Sequence, residues 1–279
     1  MTLSIILVLS GISALLVTWG ADAFQGLAWL WVFPVSFAGS FLSVLLLIFL
    51  LICLMSLCVN MKRPQENDNG FYRAVIHFVV DLLLPILRIR IHTQGLEKAP
   101  KSGRVFLVCN HLNDIDPVVL LHCFPKQQLA FISKKENDKK TIIGPFLHRI
   151  LCQSVNREND RDALKTILNC IRLIKENKVS IGVFPEGYVS KDGMLHTFRS
   201  GVFKIAQKTG IPILVCTLQN TQFALANARH LKPTDIHLHL VGVLQPEELQ
   251  GMTTIDVGNR VHAMMAQDLG PDLVLQEEN

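Results

Sequence analysis

The feature that most constrains this chain is the distribution of its charges. Residues 1–61 carry a single charged side chain, Asp22, whereas all 27 lysines and arginines lie at or beyond Lys62. A segment so poor in charge would expose a long apolar surface if it belonged to a soluble domain. The chain is therefore neither a plain soluble domain nor a disordered one. One such segment is too short for a polytopic transporter.

Two apolar runs make up this segment, at residues 3–19 and 27–61. The first run is close to the shortest helix that spans a bilayer. The second run, as a straight helix, would reach about 52 Å, well beyond a hydrocarbon core of about 30 Å. Pro34 predicts a break in the second run. We therefore expect the second helix at residues 37–59, with residues 27–33 at the membrane interface.

Aromatic and basic residues predict how these two helices lie in a membrane. Trp19, Trp29 and Trp31 surround the connection between the runs, and Lys62 and Arg63 follow the second run. Tryptophan favours the headgroup layer, and positive flanks favour the cytoplasmic side. We therefore predict a membrane-embedded helical hairpin, with the rest of the chain on the cytoplasmic face of the cell membrane. A hairpin that dips into one leaflet is the alternative.

After the hairpin, a polar linker at residues 62–70 leads into residues 71–279. There, apolar runs typical of buried strands alternate with segments of helical periodicity, which indicates a mixed α/β domain whose largely buried sheet is flanked by helices. The expected strands are residues 104–109, 128–133, 180–184, 213–218 and 236–243. One helix is expected to begin after Asp160 as N-cap, and another at residues 198–209, ended by Gly210.

Composition limits the chemistry of this domain. None of the seven cysteines forms a CxxC pair and most lie in apolar runs, which is typical of reduced thiols. The basic excess is small and dispersed, so it favours a membrane surface or an anionic substrate over nucleic acid. His237 and His239 alternate on one expected strand and share a face, but no third ligand accompanies them. We therefore expect no metal site.

The first segment that could carry catalysis is NHLNDIDP, directly after the expected strand at residues 104–109. Pro117 suits the first position of a helix and Asp116 suits its N-cap, so His111 and Asp116 fall in a strand-to-helix turn. Ligand sites of α/β sheets concentrate at such strand ends. A carboxylate bonded to one ring nitrogen of a histidine leaves the other nitrogen as a general base. On spacing alone, a simple helix cap beside a surface histidine is the alternative.

Two further segments could complete a site at the same edge of the sheet. The turn FPEG follows another expected strand, where Gly187 shapes the turn and presents Glu186. The segment SVNR ends in Arg157, whose planar guanidinium suits a phosphate. Arg161 is an alternative partner for that phosphate, and Lys134 ends a third strand. Each of these features is common by itself, as a turn or as a surface charge.

Taken in order, NHLNDIDP, SVNR, FPEG and IPILV resemble the four motifs of the glycerolipid acyltransferase family, specifically its bacterial 1-acylglycerol-3-phosphate acyltransferases. The resemblance extends over residues 92–243. The pattern N-H-x4-D is complete at Asn110, His111 and Asp116, and FPEG is complete as well. The second motif matches only at Arg157. The ordered set is much more specific than any one of its members.

The chain departs from the family pattern at two places. FPEG is usually followed by Thr-Arg-Ser, whereas this chain has Tyr-Val-Ser. The usual arginine is therefore missing, and Arg199 or Lys191 could replace it. The fourth motif usually has two prolines, of which this chain keeps Pro212 and has Val215 at the second position.

The resemblance implies an acyl transfer that needs no cofactor and no metal. His111, oriented by Asp116, would remove the proton from the hydroxyl of 1-acylglycerol-3-phosphate. That oxygen would attack the thioester of acyl-CoA or acyl carrier protein and give phosphatidic acid. Asn110 would stabilise the oxyanion.

The acceptor side of the site also follows from the resemblance. Arg157, Glu186 and Gly187 would hold the phosphate end of the membrane lipid acceptor, with Lys134 and Arg199 as further candidates. Another acceptor is an alternative: glycerol-3-phosphate, a different lysophospholipid or a lyso-ornithine-type lipid. A membrane-anchored pseudoenzyme is a second alternative, and a metal-dependent lipid hydrolase, which lacks further ligands, is a third.

Overall fold

The computed structural model describes residues 2–156 and 159–275. Within these ranges nine α-helices and a seven-stranded sheet form a mixed α/β structure, which confirms the expected fold class. The helices are α1 Thr2–Gly20, α2 Trp29–Leu57, α3 Gly70–Ile86, α4 Asp116–Cys123, α5 Ile143–Arg149, α6 Asp160–Lys175, α7 Lys204–Thr209, α8 Ala224–Arg229 and α9 Thr254–Leu269. The strands are β1 Ile89–Gln94, β2 Phe106–Cys109, β3 Leu129–Lys134, β4 Gln153–Val155, β5 Ser180–Val183, β6 Ile213–Gln219 and β7 Thr234–Leu244.

The first two helices contact each other as a hairpin, and both are long and apolar enough to cross a membrane by length and composition. The break expected at Pro34 is wrong, because α2 runs without interruption from Trp29 to Leu57. Pro34 stands in the second turn of α2, where a proline removes one backbone hydrogen bond, to the carbonyl of Leu30. The remaining turns keep theirs, so the helix continues through the proline.

The polar linker lies on the α/β domain. The Asn69 amide donates to the Arg149 carbonyl, and the Arg149 guanidinium donates to the Gln65 side chain. The Asn69 side chain also accepts from the Tyr72 amide and caps α3. The Tyr72 hydroxyl donates to the Met55 carbonyl at 3.0 Å, which ties α3 to α2. The Tyr72–Met55 bond thus joins the hairpin to the domain, and the bonds of Asn69 and Gln65 hold the linker on the domain.

The sheet has the strand order β1-β7-β6-β2-β5-β3-β4. β6, β2, β5, β3 and β4 are mutually parallel, whereas β7 pairs antiparallel with β6 and parallel with β1. The carboxyl ends of the five parallel strands therefore meet at one edge. The turns after β2 and β5, which carry the first and third motifs, are neighbours at that edge.

The core fills both faces of this sheet. On β2 the side chains alternate, so that Phe106 and Val108 face α6, α7 and α9, whereas Leu107 and Cys109 face α3 and α4. All four side chains are fully buried, as expected for a central parallel strand. The seven cysteines are free thiols, and burial raises the pKa of the Cys152 thiol to about 11.

The five expected strands are present, with ends that differ by at most two residues, but the two edge strands, β1 and β4, were not expected. β1 is polar and mostly exposed after Ile89, and β4 has only three residues. An edge strand is stabilised by one neighbour and lacks the apolar run of a central strand. Its pairing depends on the rest of the sheet.

Two local expectations for helices need correction. The N-cap of α6 is Asn159 and not Asp160, because the Asn159 side chain accepts from the amides of Arg161 and Asp162. The helix expected at residues 198–209 is a 3-10 turn at Ser200–Phe203 followed by α7. Gly210 ends α7 with a left-handed φ of 63°, as expected.

Candidate active site

His111 and Asp116 form a hydrogen-bonded pair in the turn between β2 and α4. The Nδ1 atom of His111 lies 2.8 Å from Oδ2 of Asp116. The same Oδ2 accepts from the amides of Leu112 at 2.7 Å and Asn113 at 2.9 Å. The expected role of Asp116 as N-cap of α4 is wrong, because Ile115 occupies that position and Asp116 is the first residue of the helix. Its carboxylate organises the preceding loop instead.

Burial and stacking restrict the orientation of this pair. Asp116 is fully buried and His111 is 7% exposed. The imidazole stacks on the Phe184 ring, with centroids 4.1 Å apart and planes 17° apart. A neutral His111 that donates from Nδ1 to Asp116 keeps its lone pair on Nε2, which is the nitrogen that a general base requires.

The Asn110 amide joins β2 to β6. Its Nδ2 donates to the Leu218 carbonyl at 2.9 Å, and its Oδ1 accepts from the Leu218 amide at 2.7 Å. The Asn110 side chain thus adds two hydrogen bonds between the end of β2 and β6. The geometry therefore favours a positioning function for Asn110 over direct contact with an oxyanion.

Glu186 connects the third motif to the first. It is 1% exposed, and its two carboxylate oxygens accept from the amides of His111 at 2.8 Å and His196 at 3.1 Å. Burial raises the pKa of Glu186 to about 7, against these two hydrogen bonds, which lower it. The buried carboxyl thus holds the backbone of His111, whereas Asp116 holds its ring.

Gly187 and Arg199 meet next to this carboxyl. Gly187 has a φ of 81°, and a Cβ added there would lie 2.9 Å from Nε of Arg199. The Arg199 amide donates to the Pro185 carbonyl at 2.9 Å, which holds the start of the 3-10 turn against FPEG. A larger residue than glycine would therefore collide with the Arg199 side chain. A cation from outside the motif thus lies at the turn where the family pattern usually has an arginine.

The loop after FPEG bonds to the turn that holds His111. The Ser190 amide donates to the His111 carbonyl at 2.7 Å, and the Ser190 hydroxyl donates to Asp192 at 2.7 Å. Asp192 also lies 3.0 Å from Nε2 of His196, and these two partners lower the pKa of the Asp192 carboxyl. Sequence patterns give no sign of this network, since serine, aspartate and histidine are ordinary loop residues.

Comparisons with known proteins identify the family of this chain. The family profile described as Acyltransferase matches residues 90–219, from β1 to β6. A 1-acyl-sn-glycerol-3-phosphate acyltransferase of Borreliella burgdorferi is 30% identical over 179 residues, which are 61% of this chain and 69% of that protein. The chain belongs to the acyltransferase family.

Other acyltransferases match over more of the chain. A 1-acyl-sn-glycerol-3-phosphate acyltransferase of Cocos nucifera is 24% identical over 236 residues, 84% of this chain and 75% of that protein. The crystal structure of the 1-acyl-sn-glycerophosphate acyltransferase PlsC from Thermotoga maritima matches with a TM-score of 0.57 at 20% identity. That match covers 74% of this chain and 84% of the other and shows a shared fold. The family profile and the curated relatives identify this protein as an acyltransferase.

The other predicted site residues of this acyltransferase are placed as follows. Lys134 is exposed at the carboxyl end of β3, at the same edge of the sheet as His111. Arg161 is exposed in the first turn of α6. Lys191 is exposed in the loop after FPEG. Arg157 lies outside the described residues.

The two histidines of β7 have other partners. His237 stacks on His92 of β1, with ring centroids 5.0 Å apart. His239 bonds to Asp268 of α9. Across residues 2–156 and 159–275, no three His, Cys, Asp or Glu side chains group as metal ligands.

Proposed function

We propose that this acyltransferase moves an acyl chain from a thioester donor to the free hydroxyl of 1-acylglycerol-3-phosphate and so produces phosphatidic acid. The observation that carries the proposal is the buried His111–Asp116 pair at the carboxyl edge of the sheet, 2.8 Å from Nδ1 to Oδ2. Relatives named 1-acyl-sn-glycerol-3-phosphate acyltransferase support the choice of acceptor.

In this proposal the reaction has two proton transfers through one histidine. Nε2 of His111 takes the hydroxyl proton of the acceptor while the oxygen attacks the thioester carbonyl. The carbon–sulfur bond then breaks, an ester bond remains, and the thiolate takes the proton back from Nε2. The buried Asp116 carboxylate stabilises the intermediate imidazolium through Nδ1. Acyl-CoA or acyl carrier protein serves as co-substrate, and the enzyme itself needs no cofactor.

Arg199 is the cation that we assign to the acceptor phosphate. Its guanidinium lies on Gly187, one residue beyond the carboxyl that holds His111. A guanidinium forms paired, charge-assisted hydrogen bonds with phosphate oxygens. The exposed Lys134 adds positive charge at the same edge, and Arg157 remains a predicted second ligand of the phosphate.

Asn110 and Glu186 act in this proposal as positioning residues. Asn110 holds the end of β2 against β6, and Glu186 holds the His111 amide. Both carboxylate oxygens of Glu186 already accept a backbone hydrogen bond, so we assign Glu186 no contact with the substrate.

The hairpin explains how such an enzyme reaches a lipid. We propose that residues 1–61 anchor the protein in the cell membrane, that residues 62–70 connect the anchor, and that residues 71–279 act on the cytoplasmic face. Lys62 and Arg63 support this orientation through the preference of cations for the cytoplasmic side. Protease cleavage of the linker from the outer face of sealed cells would contradict it.

The direct test is an acyl-transfer assay with the purified full chain in mixed micelles. Each thioester donor is offered with 1-acylglycerol-3-phosphate, glycerol-3-phosphate, other lysophospholipids and a lyso-ornithine lipid, with and without a chelator. We expect the highest kcat/KM with 1-acylglycerol-3-phosphate and no effect of the chelator. A higher kcat/KM for another acceptor would replace the acceptor but keep the reaction. Absence of transfer to every acceptor would refute acyl transfer.

A further inference from the structure

An open groove of about 380 Å³ runs between α6 and α7 on the outer surface of the domain. Its lining consists of Asp160, Ala163, Leu164, Ile167, Gly201, Lys204, Gln207, Lys208 and Thr254. All nine residues belong to the described ranges, and among them are two lysines, one acid and no aromatic ring. The lining therefore combines aliphatic side chains of α6 with two lysines of α7.

Apolar side chains in this groove and next to it are exposed to water. Leu164 and Leu168, four residues apart on α6, are 47% and 54% exposed, and Ile255 at the start of α9 is 59% exposed. The core side of α6 is formed by other residues, including Cys170 and Leu173. Large side chains exposed together around one groove are a feature of surfaces that bind another molecule.

The membrane does not explain this exposure. The hairpin contacts α3 through α1, and α3 packs on the sheet face that holds Leu107 and Cys109. The helices α6 and α7 pack on the opposite face, with Phe106 and Val108. The groove therefore lies on the side of the sheet away from the helix that contacts the hairpin, where a partner would arrive from water.

The charges on the rim indicate an acidic partner. Lys204 and Lys208 are exposed and one helical turn apart, although like charges at this spacing destabilise a helix. Arg161 and Lys165 add exposed positive charge on the outer side of α6. Within the lining itself the two lysines outnumber the one acid, Asp160, and together with the aliphatic side chains they match an amphipathic helix that carries carboxylates beside its apolar residues. An open groove without aromatic rings does not match the enclosed, stacked site that a nucleotide prefers.

The groove reaches the catalytic edge. Its lining includes Gly201, two residues after Arg199, whose side chain lies on Gly187. It also includes Asp160, at the start of α6, which follows β4 at the carboxyl edge of the sheet. A protein bound in the groove would therefore stand beside the site and could extend a thioester arm towards His111.

We propose that the groove between α6 and α7 binds an acidic helix of acyl carrier protein, which makes a carrier-protein thioester the acyl donor. In this arrangement apolar residues of the carrier helix lie on Leu164 and Ile167, and its carboxylates pair with Lys204 and Lys208. The inference rests on the proposed function for the reaction and adds the identity and the binding surface of the donor.

The test compares two donors with one acyl chain on the full-length enzyme. The double variant Lys204→Glu/Lys208→Glu reverses the rim, and Lys101→Glu/Lys126→Glu makes the same charge change at exposed positions near the opposite edge of the sheet. We expect the rim variant to raise KM for the carrier-protein thioester about 10-fold or more and to leave kcat/KM for acyl-CoA within about twofold, because reversed rim charges repel an acidic partner. The control variant should leave both donors unchanged.

Every other outcome overturns the inference. Equal losses with both donors would assign the lysines to CoA or to folding, and unchanged kinetics would remove the groove from donor binding. A wild-type enzyme that uses acyl-CoA alone would also refute it. If neither donor is used, the proposed function fails. Direct titration with the carrier protein then tests the groove separately, where equal binding by wild type and rim variant would refute docking.

Discussion

Two histidine–aspartate pairs in this protein have similar local geometry and different surroundings. His111 Nδ1 lies 2.8 Å from Asp116, and His239 Nδ1 lies 2.5 Å from Asp268. The first pair sits in a loop at the carboxyl edge of the parallel strands. The second pair lies between β7 and α9, where Asp268 also accepts from the Thr217 hydroxyl of β6.

In the proposed function, a histidine–aspartate hydrogen bond is not sufficient for a general base. The second ring nitrogen must reach a substrate. In the second pair, Nε2 of His239 is buried without a partner in the described part of the chain, between sheet and helix. In the first pair, Glu186 and Ser190 instead bond to the His111 backbone, and Phe184 stacks on its ring. We infer that position at the strand ends, and not the pair itself, suits His111 to catalysis and leaves His239 to attach a helix.

The strongest test of this comparison removes each histidine. We expect His111→Ala to lower acyl transfer by about 10³-fold, since a general base contributes about 10²–10⁴-fold. His239→Ala should leave kcat/KM within about threefold and lower the free energy of unfolding by about 1–3 kcal/mol, the cost of a lost buried hydrogen bond. Kinetics and denaturation of both purified variants measure these effects. The opposite pattern would exchange the functions of the two pairs.

The two aspartates should differ almost as much. Asp116→Asn places an amide opposite three N–H donors, so it disturbs both the loop and the tautomer of His111, and we expect a loss of about 10²–10³-fold. Asp268→Asn retains an oxygen that can accept one hydrogen bond, and its activity should stay near that of the wild type. If Asp116→Asn keeps most of its kcat, the carboxylate serves the loop alone.

A buried acid beside the first pair makes stability depend on pH. Glu186 keeps its proton to about pH 7 in the folded protein, against an ordinary pKa of 4.5. Between these values the folded state binds one more proton than the unfolded state. Its stabilising contribution is therefore complete below pH 4.5 and lost as pH rises through 7. The loss is on the order of 3 kcal/mol.

Glu186→Gln lacks this titration, so the pH slope of its stability should be flatter between pH 5 and 7.5 than that of the wild type. Chemical denaturation of the detergent-solubilised proteins at both pH values measures the difference. Parallel slopes would show that the Glu186 carboxyl has the same pKa in both states.

The smallest effect concerns the cation beside the first pair. Arg199→Ala should lower kcat/KM for 1-acylglycerol-3-phosphate about 10-fold, because a charge-assisted hydrogen bond contributes about 1.5–3 kcal/mol. KM for the thioester donor should change less. Lys191→Ala is the matched control, since Lys191 is the other candidate from the sequence. A larger effect at Lys191 would move the phosphate to the loop after FPEG.

Much of this protein follows from local patterns. The start of the chain, with Asp22 as its one charge, predicts the hairpin, and apolar runs predict the five inner strands. The N-H-x4-D pattern places His111 and Asp116 in one turn, where they can meet. These features depend on residues within one or two turns of each other, so their physics is present in a short segment. The position of α2 shows the limit, because a proline in its second turn did not end the helix.

Tertiary structure decides what surrounds the pair. Glu186 bonds to the His111 amide across 75 residues, and Asn110 bonds to Leu218 across 108 residues. Arg199 reaches Gly187 only because the 3-10 turn folds back on FPEG. These contacts depend on strand order, which places β5 and β6 on either side of β2. Alternating apolar residues determine that a strand is buried, but not which strands flank it, because every buried strand offers its neighbours the same backbone hydrogen bonds.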